Sequence, residues 1–581
     1  DTDEGWAAVD AGSGELKANS TARWSAWMLT TLPAVNGPAV LGWLGEQPQV
    51  WLPGPGRYEF IKVMFTGKQE QADQMRSNRS GIGVTAAARR GIEWTSLRTL
   101  RTDSGPGQSL QPLSVGLGGQ SEIDFVQLTW PDGIFQSEYD LTPGKLHRIS
   151  ETQRQVSSCP VVFVWNGEYF EFVTDVLGGG GIGFNVGDGE YGEPRPAENL
   201  LLPIHLTQSH DRELRIKLAE PMEEVCYLDA ARLVRYDLPP GWQMTLDERF
   251  AVAGPVATGA PLFYRTLLRP TSAVNQRGES VLVELADVDH VAVEPAAKDV
   301  RFIGRTETHS VELTFERRLD DGQPVLLFDG WIEYPYSQTM FAAWQAGAEF
   351  AAPTLEAADE HGQWHVVAEQ FGYMAGMPRE SALPLDTQQL PPGCRKLRLS
   401  SNLEIYWDRI AVAFAEEPAE IQRHEYPLVS AAVAERGFAQ RTTFAQHRPY
   451  YDDRRCVPLW DTRHLRGNYT QLGEALPLAS AVDDAVIVFG PGEEVELTFA
   501  APPPESNDSS GTVDGGATQR FVLELNGWCK DMDLYTRDGE TVAPLPRRAT
   551  TDSPTASDAI AVERDREKLH AEYNTRFRAG H

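Results

Sequence analysis

One five-residue string, Val-Glu-Leu-Thr-Phe, occurs twice in this chain, at residues 311–315 and 495–499. Each copy is followed by an apolar run that ends in an acid or an amide and then Gly-Trp, at residues 324–331 and 520–528. Alternating β-branched and aromatic residues bounded by Gly and Pro are typical of strands. A strand pair that recurs in one chain predicts a duplicated all-β module.

The composition agrees with a β protein of several domains. The 581 residues are too many for a single hydrophobic core. Many of the 51 Gly and 39 Pro residues lie between short apolar runs, which is typical of strands joined by turns. We expect such a chain to bind or hold other molecules rather than to convert them.

The charge excludes two classes of partner. The 52 Lys and Arg residues face 83 Asp and Glu residues, and the net charge is −31. Such a surface repels nucleic acid and anionic lipid. The acidity fits either a soluble surface in a salty habitat or a calcium-rich acidic surface.

The ends and the hydropathy lead to two further expectations. No run of about 18 apolar residues occurs, so we expect no transmembrane segment. Asp1 is not a start residue, so we expect the sequence to begin at a processed or truncated end.

The five cysteines are scattered, and no Cys-x-x-Cys pair occurs: they are Cys159, Cys226, Cys394, Cys456 and Cys529. This spacing excludes a zinc ribbon and a dithiol redox site. Cys456 with Cys529 and Cys159 with Cys226 are possible disulfide pairs, and buried free thiols are the alternative.

A glycine-rich stretch follows the predicted hairpin at residues 159–174. Gly178, Gly180 and Gly183 satisfy Gly-x-Gly-x-x-Gly, but a dinucleotide site also needs a helix directly beyond. Residues 185–190, Asn-Val-Gly-Asp-Gly-Glu, do not start a helix. The pattern therefore favours a mobile or tightly packed glycine loop over a nucleotide site.

Acidic residues flank this loop and are candidate ligands of a metal ion. Asp175, Asp188 and Glu190, with Glu193 nearby, offer the hard oxygen atoms that calcium prefers. Their spacing matches no EF-hand loop, and a solvated acidic loop is the alternative. We predict no cofactor other than calcium at this place.

Tryptophans are the candidate ligand-binding residues. The chain has 15 of them, and Trp331 and Trp528 each follow a strand and a Gly, with Trp407 and Trp165 as further candidates. Such rings could stack on a sugar, or they could anchor the core of a sandwich in both copies.

Catalytic motifs are absent. The sequence holds no His-Glu-x-x-His, no Gly-x-Ser-x-Gly and no P-loop, so a non-catalytic protein is favoured. A pair of carboxylates for glycoside hydrolysis stays open because the acids are so many. Residues 447–464 are dense in His, Asp and Arg. They are either an acid–base or metal site or an ordered connecting segment with locally paired arginines.

Residues 76–133 resemble the ASPIC/UnbV domain. The matching motifs are Gly-Ile-Gly at 81–83, Ser-Leu-Gln-Pro at 109–112, Val-Gly-Leu-Gly at 115–118 and Val-Gln-Leu-Thr-Trp-Pro-Asp-Gly at 126–133. The entry is shorter than the Gly-x-Gly-x-x-Val of the family. Proteins with this domain typically carry FG-GAP/VCBS repeats that form a β-propeller, and are similar to cartilage acidic protein. The resemblance implies that residues 1–65 are a last propeller blade, although its Asp-rich calcium loops are absent.

The rest of the chain is similar to the C-terminal extension of large bacterial FG-GAP/ASPIC proteins. The shared motifs are Cys-Pro at 159–160, Phe-Val-Thr-Asp at 172–175, Tyr-Leu-Asp at 227–229, Tyr-Trp-Asp at 406–408 and Gly-Trp-Cys-Lys-Asp-Met at 527–532. The resemblance implies an exported protein (periplasmic, cell-surface or extracellular) with an adhesive or scaffolding function. It supplies no catalytic residues.

The fold that we predict is mainly β. It comprises a propeller-blade-like segment (1–65), an ASPIC/UnbV β-domain (66–150), a hairpin-rich domain (151–240) and two β-sandwich modules of jelly-roll or galactose-binding type (241–415 and 416–581), the second with a C-terminal helical tail. The predicted function is non-catalytic adhesion or scaffolding through a partner protein or a glycan, in an oligomer or an extracellular complex. The alternatives are a carbohydrate-active enzyme with accessory sandwiches and a cofactor-free accessory subunit of a redox or photosynthetic complex.

Overall fold

The structure is a computed structural model. It describes residues 6–9, 16–20, 26–32, 37–53, 58–67, 77–99, 112–131, 135–151, 159–207, 213–251, 254–299, 301–374, 376–418, 420–457, 464–501, 518–532, 535–548 and 556–580. The chain divides into two compact units, residues 1–154 and 155–581. Both consist mainly of strands, which confirms the predicted fold class.

The strands of the first unit are short and separated by turns. They are β1 (Trp6–Val9), β2 (Leu16–Ser20), β3 (Ala26–Thr31), β4 (Pro38–Leu44), β5 (Gln47–Trp51), β6 (Phe60–Thr66), β7 (Thr85–Arg90), β8 (Glu93–Arg98), β9 (Leu113–Gly116), β10 (Phe125–Thr129), β11 (Phe135–Glu138) and β12 (Leu146–Ser150).

Two sheets of the first unit share one apolar core. The sheet β12-β6-β9 contributes Ile61 and Phe65, and the sheet β11-β10-β7-β8 contributes Ala86 and Val126. Trp130 is buried at the end of β10 and donates its indole N–H to Gln136 Oε1 at 2.7 Å. Because β6 pairs with β9 and β12, it belongs to this core and not to the predicted segment 1–65.

The remaining strands of the first unit form small sheets. β1 pairs with β2, and β3, β4 and β5 form a three-stranded meander. Among the residues that the structure describes, no closed barrel or propeller is present. That residues 1–65 form a single propeller blade stays a prediction.

The second unit begins with strands β13 (Val161–Trp165), β14 (Phe170–Asp175), β15 (Asn185–Gly187), β16 (Glu190–Tyr191), β17 (Ala197–Leu201), β18 (Glu213–Ala219), β19 (Glu224–Leu238), β20 (Gln243–Leu246), β21 (Pro261–Leu268), β22 (Ser272–Asn275), β23 (Arg305–Thr314) and β24 (Pro324–Ile332). Helix α1 (Ser337–Gln345) follows, and then β25 (Thr354–Ala358), β26 (Trp364–Ala368), β27 (Arg379–Pro384), β28 (Lys396–Leu403) and β29 (Ile405–Ala415).

The chain ends with β30 (Gln422–Tyr426), β31 (Leu428–Glu435), β32 (Phe438–Thr443), β33 (Pro449–Val457), β34 (Gly467–Tyr469), β35 (Gly473–Glu474), β36 (Ile487–Phe489), β37 (Glu493–Ala500), β38 (Thr518–Asp531), α2 (Ala556–Tyr573) and β39 (Arg576–Arg578). Helix α2 is the predicted helical tail. It packs Leu569 and Tyr573 against a sandwich core, and His570 Nε2 accepts the backbone N–H of Val486 at 3.1 Å.

Two β-sandwiches make up most of the second unit. The inner sandwich, within residues 243–415, consists of the sheets β27-β24-β29-β21-β20 and β22-β23-β28-β25-β26. The outer sandwich consists of the sheets β17-β38-β19-β30 and β31-β37-β18-β13-β14, with β35 at the free side of β31 and β36 paired to β19. Each pair of sheets encloses one large apolar cluster.

The two sandwiches have the same strand order. β24 and β38 carry the Gly-Trp motifs, and β23 and β37 carry the repeated five-residue string. Val311 lies opposite Leu399 of β28, and Val495 lies opposite Leu218 of β18. The two copies of the string therefore have equivalent neighbours in the two sandwiches.

The equivalent strands follow a different order along the chain. In the outer sandwich β13, β14, β17, β18 and β19 come first, whereas in the inner sandwich their counterparts β25 to β29 come last. The strands β21 to β24 correspond to β30, β31, β37 and β38. In the order of its strands along the chain, each sandwich is therefore a circular permutation of the other.

Strand pairing joins two of the predicted domains into one sandwich. The segments 151–240 and 416–581 were assigned to separate domains, but β18 pairs with β37 and β19 pairs with β38 over its whole length. The two segments together form one sandwich, into which the inner sandwich is inserted between β19 and β30. Pairing partners so far apart in sequence leave no local signal.

The Gly-Trp motif of the inner sandwich lies beside a β-bulge. Trp331 pairs with Tyr406 and Gly330 with Trp407, and the register then shifts so that Asp408 has no opposite residue. A Cβ atom on Gly330 would collide with the carbonyl oxygen of Tyr406. The glycine is required because the two backbones approach so closely.

The outer sandwich repeats this arrangement. Trp528 pairs with Tyr227, Gly527 pairs with Leu228, and Asp229 is the residue that the register skips. A Cβ atom on Gly527 would lie 2.7 Å from the carbonyl oxygen of Tyr227. The motifs Tyr-Leu-Asp and Tyr-Trp-Asp of the sequence are thus the bulged parts of β19 and β29, and each lies opposite one Gly-Trp motif.

Candidate functional site

A cavity of about 60 Å³ lies at one end of the outer sandwich. The glycine loop, whose residues Gly178–Gly180 form one 3-10 turn, contributes one wall. Phe250 and Tyr334 of the inner sandwich contribute another wall. Cys159, Glu224 and Cys529 also line the cavity, so three groups that can bind metal ions meet at one opening.

Strand register explains why the acids and thiols meet. Cys226 of β19 lies directly opposite Cys529 of β38, and Glu224 lies opposite Asp531. Side chains two residues apart in a strand point to the same face. Cys226 and Cys529 belong to the core between the sheets, so Glu224 and Asp531 extend the same face to the end of the sandwich.

Cys159 completes the cluster from the facing sheet, where it comes just before β13. The ligand atoms of Cys159, Glu224 and Cys529 all lie within 4.8 Å of one another. Glu220, Glu224 and Cys226 form a second group within the same limit. In this second group the Cys226 thiol donates to Glu220 Oε2 at 3.0 Å, and Glu220 Oε1 accepts the N–H of Met222 at 2.8 Å.

Burial and neighbouring acids hold protons in this cluster. The hydrogen bond with Cys529, together with burial, raises the pKa of the Cys159 thiol well above its usual range. Burial, with the charges of Glu220 and Glu224, raises the pKa of Cys226 in the same direction. Burial raises the pKa of Glu220 to about 8 although hydrogen bonds from Cys226 and Met222 oppose it. The three groups are therefore protonated at neutral pH unless a cation replaces the protons.

The glycine loop is tightly packed. A Cβ atom on Gly180 would lie 2.9 Å from Trp528 Cα, and one on Gly183 would lie 2.7 Å from the carbonyl oxygen of Arg537. Strand β15 follows the loop, and no helix begins there. The structure therefore supports a tightly packed glycine loop. It lacks the following helix that a dinucleotide site requires.

The predicted calcium ligands are not brought together. Asp175 is fully buried and accepts a hydrogen bond from Thr174 Oγ1 at 3.2 Å, and burial raises its pKa to about 7 although the charge of Arg379 opposes this. Asp188 and Glu190 are exposed at the turn between β15 and β16. Within the described residues the three carboxylates do not form a metal-binding group. This correction follows from the strand β14, which turns Asp175 into the interior.

Three of the four candidate tryptophans are core residues. Trp331, Trp407 and Trp528 have exposures of 0%, 2% and 2%, so none offers a ring face to a sugar. Trp331 stacks on Tyr406 with ring centres 5.7 Å apart. The structural alternative of the sequence analysis therefore holds for all three.

The fourth candidate, Trp165, is half-buried. Its ring meets Phe170 edge-on at 5.2 Å, and the Arg215 guanidinium lies 5.2 Å from its centre. The Trp165 ring is thus in contact with side chains of neighbouring strands, and these packing contacts explain a tryptophan at this position.

A polar cluster covers the Trp331–Tyr406 pair. His447 Nδ1 lies 3.3 Å from Glu333 Oε2 and 3.2 Å from Glu404 Oε1. Lys298 Nζ lies 2.6 Å from Glu404 Oε1 and donates to Tyr406 Oη at 2.9 Å. Burial lowers the pKa of His447, but the two carboxylates outweigh it and raise the pKa to about 9.

This cluster attaches the segment before β33 to the inner sandwich. The indole N–H of Trp331 donates to the carbonyl oxygen of Gln446 at 2.7 Å, and the side chain of Gln446 bonds to Ala292. The described part of the segment 447–464 is thus an ordered connection, and residues 458–463 lie outside the described residues. Ion pairing of His447 was missed because its acids come from distant strands.

Strand β8 lies at the edge of a sheet in the first unit. β8 has β7 as its single partner among the described strands. Ile92 in the preceding turn is 97% exposed and Trp94 is 52% exposed. The Arg89 guanidinium lies 5.7 Å from the centre of the Trp94 ring. Unpaired backbone groups beside apolar side chains are a template for a further strand, and the sequence analysis did not identify this edge.

Comparison with known proteins identifies one domain. Residues 74–156 match the family model described as ASPIC and UnbV. The chain therefore carries an ASPIC/UnbV domain over these residues, as its motifs indicate. No curated protein matches the chain.

In the part of the chain that the structure describes, neither helix combines the length and the apolar character needed to cross a membrane.

Proposed function

We propose that this chain is an exported, non-catalytic assembly protein whose ASPIC/UnbV domain binds a partner protein by adding one of its strands to the edge of β8. The observation that carries this proposal is the edge of β8, which has no second strand partner among the described residues, with exposed Ile92 and Trp94 beside it. Strand addition supplies backbone hydrogen bonds, and neighbouring apolar side chains supply selectivity.

The register of β8 shows which backbone groups are available. The N–H of Thr99 donates to the carbonyl of Val84 directly opposite, and bonded and non-bonded pairs alternate along antiparallel strands. Thr95 therefore bonds to β7, whereas the N–H groups of Trp94 and Ser96 point to the free edge. A partner strand would take up these outward groups.

The second unit supports a scaffolding role. The inner sandwich is inserted between β19 and β30 of the outer one, and the pairing of β18 with β37 and of β19 with β38 closes the outer sandwich across this insertion. Such an element is suited to holding a binding domain within a larger assembly. We further propose that FG-GAP/VCBS repeats accompany this chain and that residues after 159 are the C-terminal extension of that family, with a periplasmic, cell-surface or extracellular location.

A single backbone group tests the proposal. Ser96→Pro removes one N–H from the free edge without touching the bonds to β7, and proline is tolerated at such edges. Ser96→Ala keeps the N–H and is the matched control. Each tagged full-length variant is purified from the organism that produces the protein, and native mass spectrometry measures stoichiometric partners.

We expect wild type and Ser96→Ala to retain a protein partner in fixed ratio and Ser96→Pro to lose it. Retention by Ser96→Pro, or a wild-type protein that is always a lone monomer, contradicts strand addition. A glycan in place of a protein would point to the half-exposed Trp94 ring instead, and release of reducing ends from polysaccharides would point to an enzyme.

A further inference from the structure

We infer that Cys159, Glu224 and Cys529 bind one zinc ion at the end of the outer sandwich, with a fourth coordination position directed to the cavity. The site is independent of the proposed partner binding, since it lies in the other unit of the chain.

The geometry places three ligand atoms around one point. Both thiols and one carboxylate oxygen lie within 4.8 Å of one another. In a tetrahedral site with Zn–S bonds of about 2.3 Å and Zn–O bonds of about 2.0 Å, the ligand atoms are about 3.5–3.8 Å apart, roughly 1 Å less than this limit. Small side-chain rotations therefore bring the three atoms to bonding distance.

Strand pairing holds the ligands without a local motif. Glu224 begins β19 and Cys529 is near the end of β38, in adjacent strands with fixed register. Gly181 forms a bridge with Cys529, and the N–H of Ile182 donates to the carbonyl of Cys529 at 2.8 Å. Cys529 is thus fixed on two sides, which favours a preorganised metal site over a chance meeting of side chains.

The donor set selects the metal. Two thiolates exclude calcium and magnesium, which prefer oxygen ligands, and one carboxylate with two thiolates suits zinc. Binding replaces the protons of Cys159 and Cys529, so two protons leave per zinc bound and no redox change occurs. The second group, built on Glu220 and Cys226, is buried deeper and already paired by the Cys226–Glu220 hydrogen bond. The first group has access to the cavity because Cys159 is only half-buried.

The competing product is a disulfide between Cys159 and Cys529. Zinc binding and oxidation exclude each other, because a disulfide has no thiolates to offer. Intact mass without reductant distinguishes them, since a disulfide lowers the mass by two hydrogen atoms, and metal analysis counts the zinc.

The test uses the reduced full-length protein and added metal. We expect an equimolar amount of zinc after dialysis, and on cobalt substitution a thiolate-to-cobalt charge-transfer absorption. Cys529→Ser and Glu224→Gln should weaken zinc binding by at least about 100-fold, since even the loss of outer-shell partners costs 10- to 100-fold. Cys394→Ser, a buried thiol in the inner sandwich, is the matched control and should bind normally.

Two results would overturn the inference. One is reduced wild-type protein that binds no zinc and shows no thiolate-to-cobalt absorption, a measurement that does not depend on the folding of a variant. The other is zinc that stays in full amount in Cys529→Ser. Protein isolated with the two-hydrogen mass deficit that regains no zinc affinity on reduction would assign the thiols to a disulfide.

Discussion

Asp229 and Asp408 occupy the same position in the two sandwiches. Each is the residue skipped at the bulge opposite a Gly-Trp motif, and each is buried. Asp408 Oδ1 accepts the N–H of His290 at 3.0 Å, and Asp229 Oδ1 accepts the N–H of Asp484 at 2.7 Å. His290 and Asp484 also share a left-handed backbone, with φ of 66° and 63°. The bulged aspartate thus holds the same loop in both copies.

Loss of this carboxylate should destabilise the loop. Asp229→Ala leaves the N–H groups of Asp483 and Asp484 without their acceptor and removes one of the two carboxylates that pair with Arg548. We expect the free energy of unfolding to fall by about 1–3 kcal/mol in urea titrations. Asp229→Asn keeps one acceptor oxygen and should lose less. Equal losses in both variants would show that the charge, and not the acceptor, matters.

Stability should depend on pH through His447. Its pKa is raised to about 9 by Glu333 and Glu404 against the effect of burial. A raised pKa means that the stabilisation is fully present below the unfolded value of about 6.5 and is lost as pH rises to about 9. We expect wild type to lose roughly 2–3 kcal/mol across this window and His447→Gln to lose much less. His361→Gln, at an exposed position, is the control and should follow wild type; parallel profiles for His447→Gln would refute the assignment.

Two glycines allow the cost of a steric clash to be distinguished from the cost of an unfavourable backbone conformation. Gly330 and Gly362 both have positive φ, but a Cβ atom on Gly330 would meet the carbonyl of Tyr406, whereas nothing lies within 4 Å of one on Gly362. We expect Gly362→Ala to cost about 1–2 kcal/mol and Gly330→Ala at least about 3 kcal/mol in chemical denaturation. Similar costs would mean that the bulge can open.

Two tryptophans should behave in opposite ways. Trp331 is completely buried and Trp94 is 52% exposed. Trp331→Ala should lower the unfolding free energy by about 3–5 kcal/mol, because it removes packing against Tyr406 and the hydrogen bond to Gln446. Trp94→Ala should stay within about 0.5 kcal/mol of wild type. A large loss for Trp94→Ala would show that this ring is structural and would weaken its proposed role in docking.

The inner sandwich should fold by itself. A fragment of residues 241–418 contains both of its sheets and its whole apolar cluster. We expect a cooperative thermal transition and dispersed amide signals in NMR spectra. The segment 416–581 by itself should stay unfolded, since β37 and β38 lack their partners β18 and β19. A folded C-terminal fragment would show that β37 and β38 do not need β18 and β19 as partners.

The sequence by itself determined the strands, the turns and the duplication. These depend on the local alternation of apolar and polar residues and on Gly, Pro and Asn at turns, so short segments of the sequence are enough to predict them. The hairpin around Asn166 and Gly167 and the repeated strings of β23 and β37 are examples. The ASPIC/UnbV motifs are also local, and the matched residues 74–156 agree with them.

Only the tertiary structure decided which strands pair with each other. The local sequence pattern of a strand is the same whether it pairs with a nearby strand or with a strand far away in the chain. The reason is that the hydrogen bonds between strands join backbone groups, which all residues except proline share. The choice depends on how the connections close and on long-range packing. The same reason hides the cluster of Cys159, Glu224 and Cys529: a thiol at 159 and a thiol at 529 become neighbours only after β38 has paired with β19 and the two sheets have packed face to face.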